Sequence, residues 1–354
     1  MTNAPPPKPK KPIPPTLSPK LDDPNESDNF KPYKLVTFPK SSPPKARPAG
    51  HSKYLSDRLH GTLYLMLKVQ TPLHVSTGVV ALGSDIGSRV ALIKTMTQGS
   101  DQKLVIQGSS LKGCIRSVYE AITNSTLAVI TPKYRDKIPS ERLPCKKKDE
   151  LCPASQVFGA LDWQGLIEFS DAKCENTSYG TGFMPSLYAP RTQRRNYYNS
   201  RGVAAGRKFY YNFAKSIDKG QNQGIAVQQA AKDFTFTTQI HFKNLKPAEL
   251  GTLLIVLGQD PNYPIALKVG GGKPIGMGTV TVSVTAIEQA GNLRDRYSAY
   301  IVPESNRLTG DKLPKFMQTQ IQSAHSSLIQ PPQLQQLAEV LRYPSDLQPP
   351  SGMY

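Results

Sequence analysis

The segment IQGSSLKGCIRS, residues 106–117, combines residue types whose spacing suggests chemistry. A Gly-Ser-Ser turn leads into a helical pattern that carries Lys112 and Arg116 one turn apart on one face. Cations beside the positive end of a helix dipole are unfavourable unless an anion sits there too. Free backbone N–H groups, the hydroxyls of Ser109 and Ser110 and these two cations would together cradle a phosphate. The plainer alternative is a pair of solvated basic residues. A second cluster, KVGGGKPIGMG at 268–278, matches neither the P-loop spacing nor GxGxxG, which argues against ATP or a dinucleotide. Gly271 and Gly272 would let the backbone approach a bulky partner, with Lys268 and Lys273 supplying charge, or the segment is a tight turn.

A third stretch, 188–219, holds Arg191, Arg194, Arg195, Arg201, Arg207, Lys208, Lys215 and Lys219 against one acid, Asp218. Tyr197, Tyr198, Phe209, Tyr210, Tyr211 and Phe213 stand among them. Cations interleaved with aromatics suit an RNA backbone with stackable bases, although a buried hairpin would also use the aromatics. The whole chain agrees: 44 Lys and Arg against 26 Asp and Glu give a formal charge of +18 over 354 residues, favouring a polyanionic partner. No apolar run reaches membrane-span length and the Pro/Lys-rich start lacks a signal-peptide core, so a soluble cytoplasmic protein without a membrane partner is expected. Four cysteines, Cys114, Cys145, Cys152 and Cys174, are too few for a disulfide framework and agree with a reducing compartment.

The elements that must position these groups follow from periodicity. Leu63, Leu65, Leu67 and Val69 alternate as in a half-buried strand. Leu111, Ile115, Val118 and Ile122 recur at helical spacing behind Ser109 and Ser110. Strands are expected at 166–169, 234–242 and 278–287, and a helix at 247–257 with Pro247 in its first turn and Gly258 at its end. The order strand, helix, strand, strand, helix, strand is the α+β, ferredoxin-like arrangement of RNA-recognition (RRM) modules. It occupies 56–290, with two long insertions near 125–160 and 172–232. Residues 1–55, with fourteen of the 32 prolines in the first fifty positions, read as an extended basic arm unable to form a helix or packed core. Residues 291–354 read as a polar tail with a docking helix at 332–342.

These segments, in this order, resemble the RAMP superfamily, most closely the backbone subunits of type III CRISPR effector complexes of the Csm, Cmr and type III-D kinds. The likeness runs over 61–287. Thr71, Pro72, Leu73 and His74 match a Thr-x-Leu-His strand end, and 107–113 match Pro-Gly-Ser-Ser-Leu-Lys-Gly with Gln107 in place of proline. CPASQVFG at 152–159, GLIEFSDA at 165–172 and the glycine loop at 270–278 follow. The resemblance implies a modified RRM fold with thumb-like insertions that binds guide RNA (crRNA) and target RNA beside other RAMP subunits and the large subunit, in antiviral defence. It gives guide contact to Lys112, Arg116 and the glycine loop, and wedging of the guide–target duplex to part of 188–215.

It also implies metal-dependent target cleavage by an Asp between the first strand and the helix, where only Asp85 and Asp101 stand; Asp85, in LGSDIGSRV between Gly83 and Gly87, is the candidate, assisted by Mg²⁺ or another divalent ion. Some relatives hold zinc through Cys-x-x-Cys. Here Ser155 takes the second position, leaving Cys145 and Cys152, with Cys114 or Cys174, as the ligand set for Zn²⁺. Two other classes stand beside this reading. A metal-independent endoribonuclease processing CRISPR transcripts would need a positioned histidine base, from only five histidines. A translation-associated basic protein would explain the charge but not the ordered motifs.

Overall fold

A computed structural model of the chain describes residues 31–186, 195–217, 224–290, 298, 300 and 306–349. The strand Leu59–Val69 buries Leu63, Leu65, Leu67 and Val69 and exposes Met66 and Lys68, as the alternation requires. It lies at the centre of an antiparallel sheet, between Thr279–Gln289 on one side and Thr235–Leu245 on the other. Beyond Thr235–Leu245 come the short strands Ile167–Phe169 and Ala172–Cys174. In chain order of the four strands the sheet reads fourth, first, third, second, the ferredoxin-like order.

Helix α1, Gly108–Ile122, crosses one face of this sheet with Leu111, Ile115, Val118 and Ile122 turned inward. A short helix α2, Pro153–Phe158, packs on α1. Helix α3, Pro247–Val256, is capped by Glu249, whose carboxylate accepts the Lys246 N–H (2.8 Å), and is buried nearly all round. It is covered by the helix Lys312–Ser327, which approaches so closely that a Cβ on Gly251 would lie 1.9 Å from the Gln320 carbonyl oxygen.

The expected docking helix is present at Pro331–Leu341, and it docks on its own chain, against α1 and the strand Tyr33–Thr37. Its face of Leu334, Leu337, Val340 and Leu341 is buried. That strand also corrects the reading of 1–55 as an arm without packing. Tyr33–Thr37 pairs with Gly206–Tyr210, burying Tyr33 and Val36, because its prolines lie outside the paired residues. The following turn is fastened by Arg142, 1% exposed, whose guanidinium donates to the carbonyls of Pro39 (2.6 Å) and Ser41 (2.8 Å) and to Asn124 Oδ1 (2.6 Å). Residues 1–30 lie outside the described residues.

The loop expected between the first strand and α1 is built as a hairpin of Ser76–Leu82 and Leu92–Met96. It joins Gly224–Gln229 and Gly180–Pro185 in a second, four-stranded sheet.

Candidate nucleic-acid interface

The sequence motifs converge on the start of α1. Gly271 N–H donates to the His74 carbonyl (2.9 Å) and Gly278 N–H to the Pro72 carbonyl (2.9 Å), joining the strand end at 71–74 to the glycine loop. Cys114 Sγ, on α1, donates to the Lys268 carbonyl (3.4 Å), joining that loop to the helix. Arg116 Nη2 donates to Ser155 Oγ (3.2 Å), and the guanidinium lies 5.9 Å from the Phe158 ring centre, which brings in 152–159. Asp171, from 165–172, accepts from the Gly108 N–H at 2.7 Å.

That last bond modifies the phosphate cradle expected at 106–117. The anion at the positive end of α1 is the protein's own Asp171 carboxylate. Gly108 is pressed against the sheet, its Cβ position 2.4 Å from the Phe169 carbonyl oxygen, so a phosphate cannot reach that amide. Ser109 is exposed, and Ser110 and Lys112 are half-exposed. Burial, then the charge of Arg116, lowers the Lys112 ammonium below its ordinary value, while Glu168 opposes them. No ion pair engages Lys112 or Lys273 among the described residues.

Three expected RNA cations are engaged inside the protein instead. Arg116 Nε donates to Glu120 Oε1 at 2.8 Å, and Arg207 donates to the other oxygen of the same carboxylate, whose side chain is 2% exposed. Lys268 is 5% exposed, its ammonium donating to Thr279 Oγ1 (3.0 Å) and the Gly276 carbonyl (3.2 Å). Burial, with the charge of Lys273 adding, pushes it down to about 7. These side chains became internal because each found a carboxylate or carbonyl set that a positional reading of charge does not reveal. The glycine loop is likewise turned inward. A Cβ on Gly278 would sit 1.9 Å from the Val269 carbonyl oxygen, whereas at Gly271 the nearest atoms are 3.8 Å away. Gly272 is buried with φ +65°, and Lys273 opens the turn that follows it.

In the aromatic stretch, Lys208 Nζ lies 4.0 Å from the Tyr33 ring centre, 4.8 Å from Tyr210 and 5.8 Å from Tyr197. Phe213 is fully buried. Residues 206–213 thus belong to the body of the fold, while Arg201 is exposed and Tyr198 half-exposed. Arg191 and Arg194 lie outside the described residues, as does the side chain of Arg195.

Asp85 is exposed on a 3-10 turn, Gly83–Ile86, at the tip of the hairpin. Its flanking backbone is tied: Ser88 N–H donates to the Gly83 carbonyl (2.8 Å) and Tyr179 Oη to the Ile86 carbonyl (2.6 Å). Val79, Val80, Leu82 and Leu92 are exposed along the same hairpin.

Sequence reasoning missed a cleft of about 730 Å³ between α1 and the segment 128–165. Lys112, Arg116, Arg135 and Lys146 line it with Trp163 and Cys145, and no acid joins them. The inward thiol of Cys152 and that of Cys145 share Thr126 Oγ1 (3.2 and 3.5 Å), and Cys152 N–H donates to Cys145 Sγ (3.3 Å). Hydrogen bonding from Cys152 lowers Cys145 to about 5, and the reciprocal bond pushes Cys152 up to about 12. Cys114 bonds to the glycine loop and Cys174 lies in the sheet, so the expected zinc set does not assemble. Among the described residues no third His, Cys, Asp or Glu completes a metal site.

A family model described as the RAMP superfamily matches residues 66–281. The chain belongs to the RAMP superfamily. The matched span of this RAMP contains the whole hairpin, α1, the basic cleft and the glycine loop. No curated protein matches the chain. Among solved structures, it is similar at 15% identity and a TM-score of 0.35 to a chain of a structure described as "Cryo-EM structure of the Type III-B Cmr-beta bound to cognate target RNA". That likeness covers 65% of the RAMP and 61% of the other chain, so the RAMP spans about three fifths of its length.

Every histidine of this RAMP has a ring nitrogen engaged by its own chain. His74, 1% exposed and lowered by burial, bonds the Gln228 carbonyl at 2.7 Å. His51 and His60 meet the carbonyls of Gly165 and Leu55, His241 meets Thr62 Oγ1, and His325 meets Asp260. No described helix is long and apolar enough to cross a membrane.

Proposed function

We propose that this RAMP is a guide-binding backbone subunit of a cytoplasmic type III CRISPR effector complex, holding crRNA through its phosphates and shaping the guide–target duplex. The observation that carries the reading is the start of α1, a seam with Lys112 on the helix flank that faces 128–165 and Cys114, two residues on, on the flank bonded to the glycine loop beside Lys273. Burial raises the Cys114 thiol, and the ammonium of Lys273 is near enough to oppose that rise. With Arg116, Arg207 and Lys268 held internally, Lys112 and Lys273 are the seam's cations without an ion pair among the described residues, one on each flank of the helix start, and Ser109 and Ser110 belong to its first turn. Such a set grips phosphate without reading sequence. The exposed apolar residues of the hairpin 76–96 suit a wedge against stacked bases better than the stretch 206–213, whose side chains are used within the fold.

Target cleavage at Asp85 is part of the proposal. A divalent ion would stabilise the charge that develops in phosphodiester cleavage. Asp85 offers one carboxylate, and the RNA's own oxygens would complete the ion's shell. The competing transcript-processing reading needs a histidine base in an RNA cleft, and the histidines here are engaged elsewhere.

The double variant Lys112→Ala with Lys273→Ala tests the grip. Removing two phosphate contacts to a single strand should reduce the slope of log affinity against log salt by roughly 1.4, whatever the guide sequence. An unchanged affinity and slope in a folded variant would remove the seam from the RNA path.

A further inference from the structure

The cleft between α1 and 128–165 has features that a phosphate grip alone does not use. Arg135 and Lys146 are exposed on its rim, and neither they nor Lys112 have an ion pair among the described residues. The same cleft has an apolar wall. Trp163, the chain's single tryptophan, and Phe158 form it, and Leu161 (79% exposed) and Val129 (89% exposed) stand at the mouth. A large apolar side chain left in water beside unpaired cations suits an amphipathic ligand with an anionic end. Bare phosphate would leave the wall unused. The Trp163 indole N–H, shut off from solvent, also lacks an acceptor among the described residues. A volume of about 730 Å³ falls within the range of small-ligand sites.

We propose that this cleft binds a nucleoside phosphate, with its base against Trp163 and Leu161 and its phosphate among Lys112, Arg135 and Lys146. The inference rests on the seam at Lys112 being an RNA path, because that lysine belongs to both surfaces and a strand gripped there can turn one nucleotide into the cleft. A free mononucleotide carries the same chemistry, so both sources enter the test.

Because Trp163 is the only tryptophan, its emission reports on the cleft alone. It is titrated with adenosine monophosphate, with inorganic phosphate and with a short single-stranded RNA, while guide binding is followed by filter retention on the same protein. Saturable quenching by the mononucleotide and the RNA, each displacing the other, supports the site. Quenching by RNA alone supports it with the strand as source, and by the mononucleotide alone with the free ligand as source. Arg135→Ala with Lys146→Ala, at exposed positions where folding is not at stake, should weaken the quenching ligand at least about tenfold. Overturning results are a silent Trp163 with every ligand, inorganic phosphate matching the mononucleotide, or undiminished affinity in the double variant. A silent cleft with guide still retained rejects this inference alone, whereas loss of guide retention in the unaltered protein rejects the reading of the seam.

Discussion

Glu120→Ala removes the carboxylate that holds α1 to the strand Gly206–Tyr210. In the native fold Glu120 is 2% exposed at its side chain and accepts from Arg116 Nε (2.8 Å), from Arg207 and from the Ala128 N–H (3.2 Å). The guanidiniums are 16% and 17% exposed, so neither regains full hydration once the carboxylate is gone. Burial, and then the charge of Arg116, already works against the protonated Arg207. An exposed pair would contribute about 0–1 kcal/mol, whereas breaking a buried pair costs about 3–5 kcal/mol by stranding its partner. Two partners are stranded here, each keeping some contact with water, which places the expected loss near the lower end, about 3 kcal/mol. Denaturant unfolding followed by Trp163 emission measures it, the midpoint falling while the slope stays constant. Glu120→Gln keeps an acceptor and should lose less. A loss below about 1 kcal/mol for Glu120→Ala would refute the buried-clamp reasoning and return Arg116 and Arg207 to the pool of RNA-binding cations.

Lys268→Met tests the buried ammonium. Its folded value, about 7, lies below the ordinary 10.5, so from about pH 7 to 10.5 the unfolded chain binds the extra proton and native stability rises with pH; the variant should lose that rise, and identical pH profiles would contradict the burial. Cys145 should be the thiol most readily alkylated by iodoacetamide at neutral pH, since its bond from Cys152 favours the thiolate and it lines the cleft; peptide mapping that finds Cys114 or Cys174 modified first would contradict this. Asp85→Ala in the assembled complex should keep target binding and lose one cut site with Mg²⁺, and retention of every cut would make Asp85 a turn residue without chemistry.

The four-stranded core was legible because its signals are local. Leu63 to Val69 alternate, Leu111 to Ile122 recur every three or four residues, and both patterns follow the face each element buries. The helix Lys312–Ser327 carries Leu313, Phe316, Met317, Ile321 and Ala324 at helical spacing and was legible, but it was passed over because Pro314 and the Gln- and Ser-rich residues between them read as a polar tail. Tyr33–Thr37 was missed because its partner, Tyr33 opposite Tyr210, lies far along the chain, and proline density around it reads as an arm. At the site, the fold brings the ordered motifs together, and several of their cations are engaged within the chain. Charge counted along the chain cannot distinguish Lys112 at the seam from Lys268 beneath it, because the difference is made by the Thr279 hydroxyl and the Gly276 carbonyl. The basic cleft was hidden for the same reason: Arg135, Lys146 and Trp163 come together only through the turns of 123–158 and their packing on α1.

The RNA that copurifies with the native protein provides the most direct test. Sequencing it should return guides carrying CRISPR repeat-derived ends with many different spacer sequences, as a phosphate grip blind to sequence requires. Recovery of ribosomal or transfer RNA instead, or of no RNA at low salt, would contradict the guide-binding account.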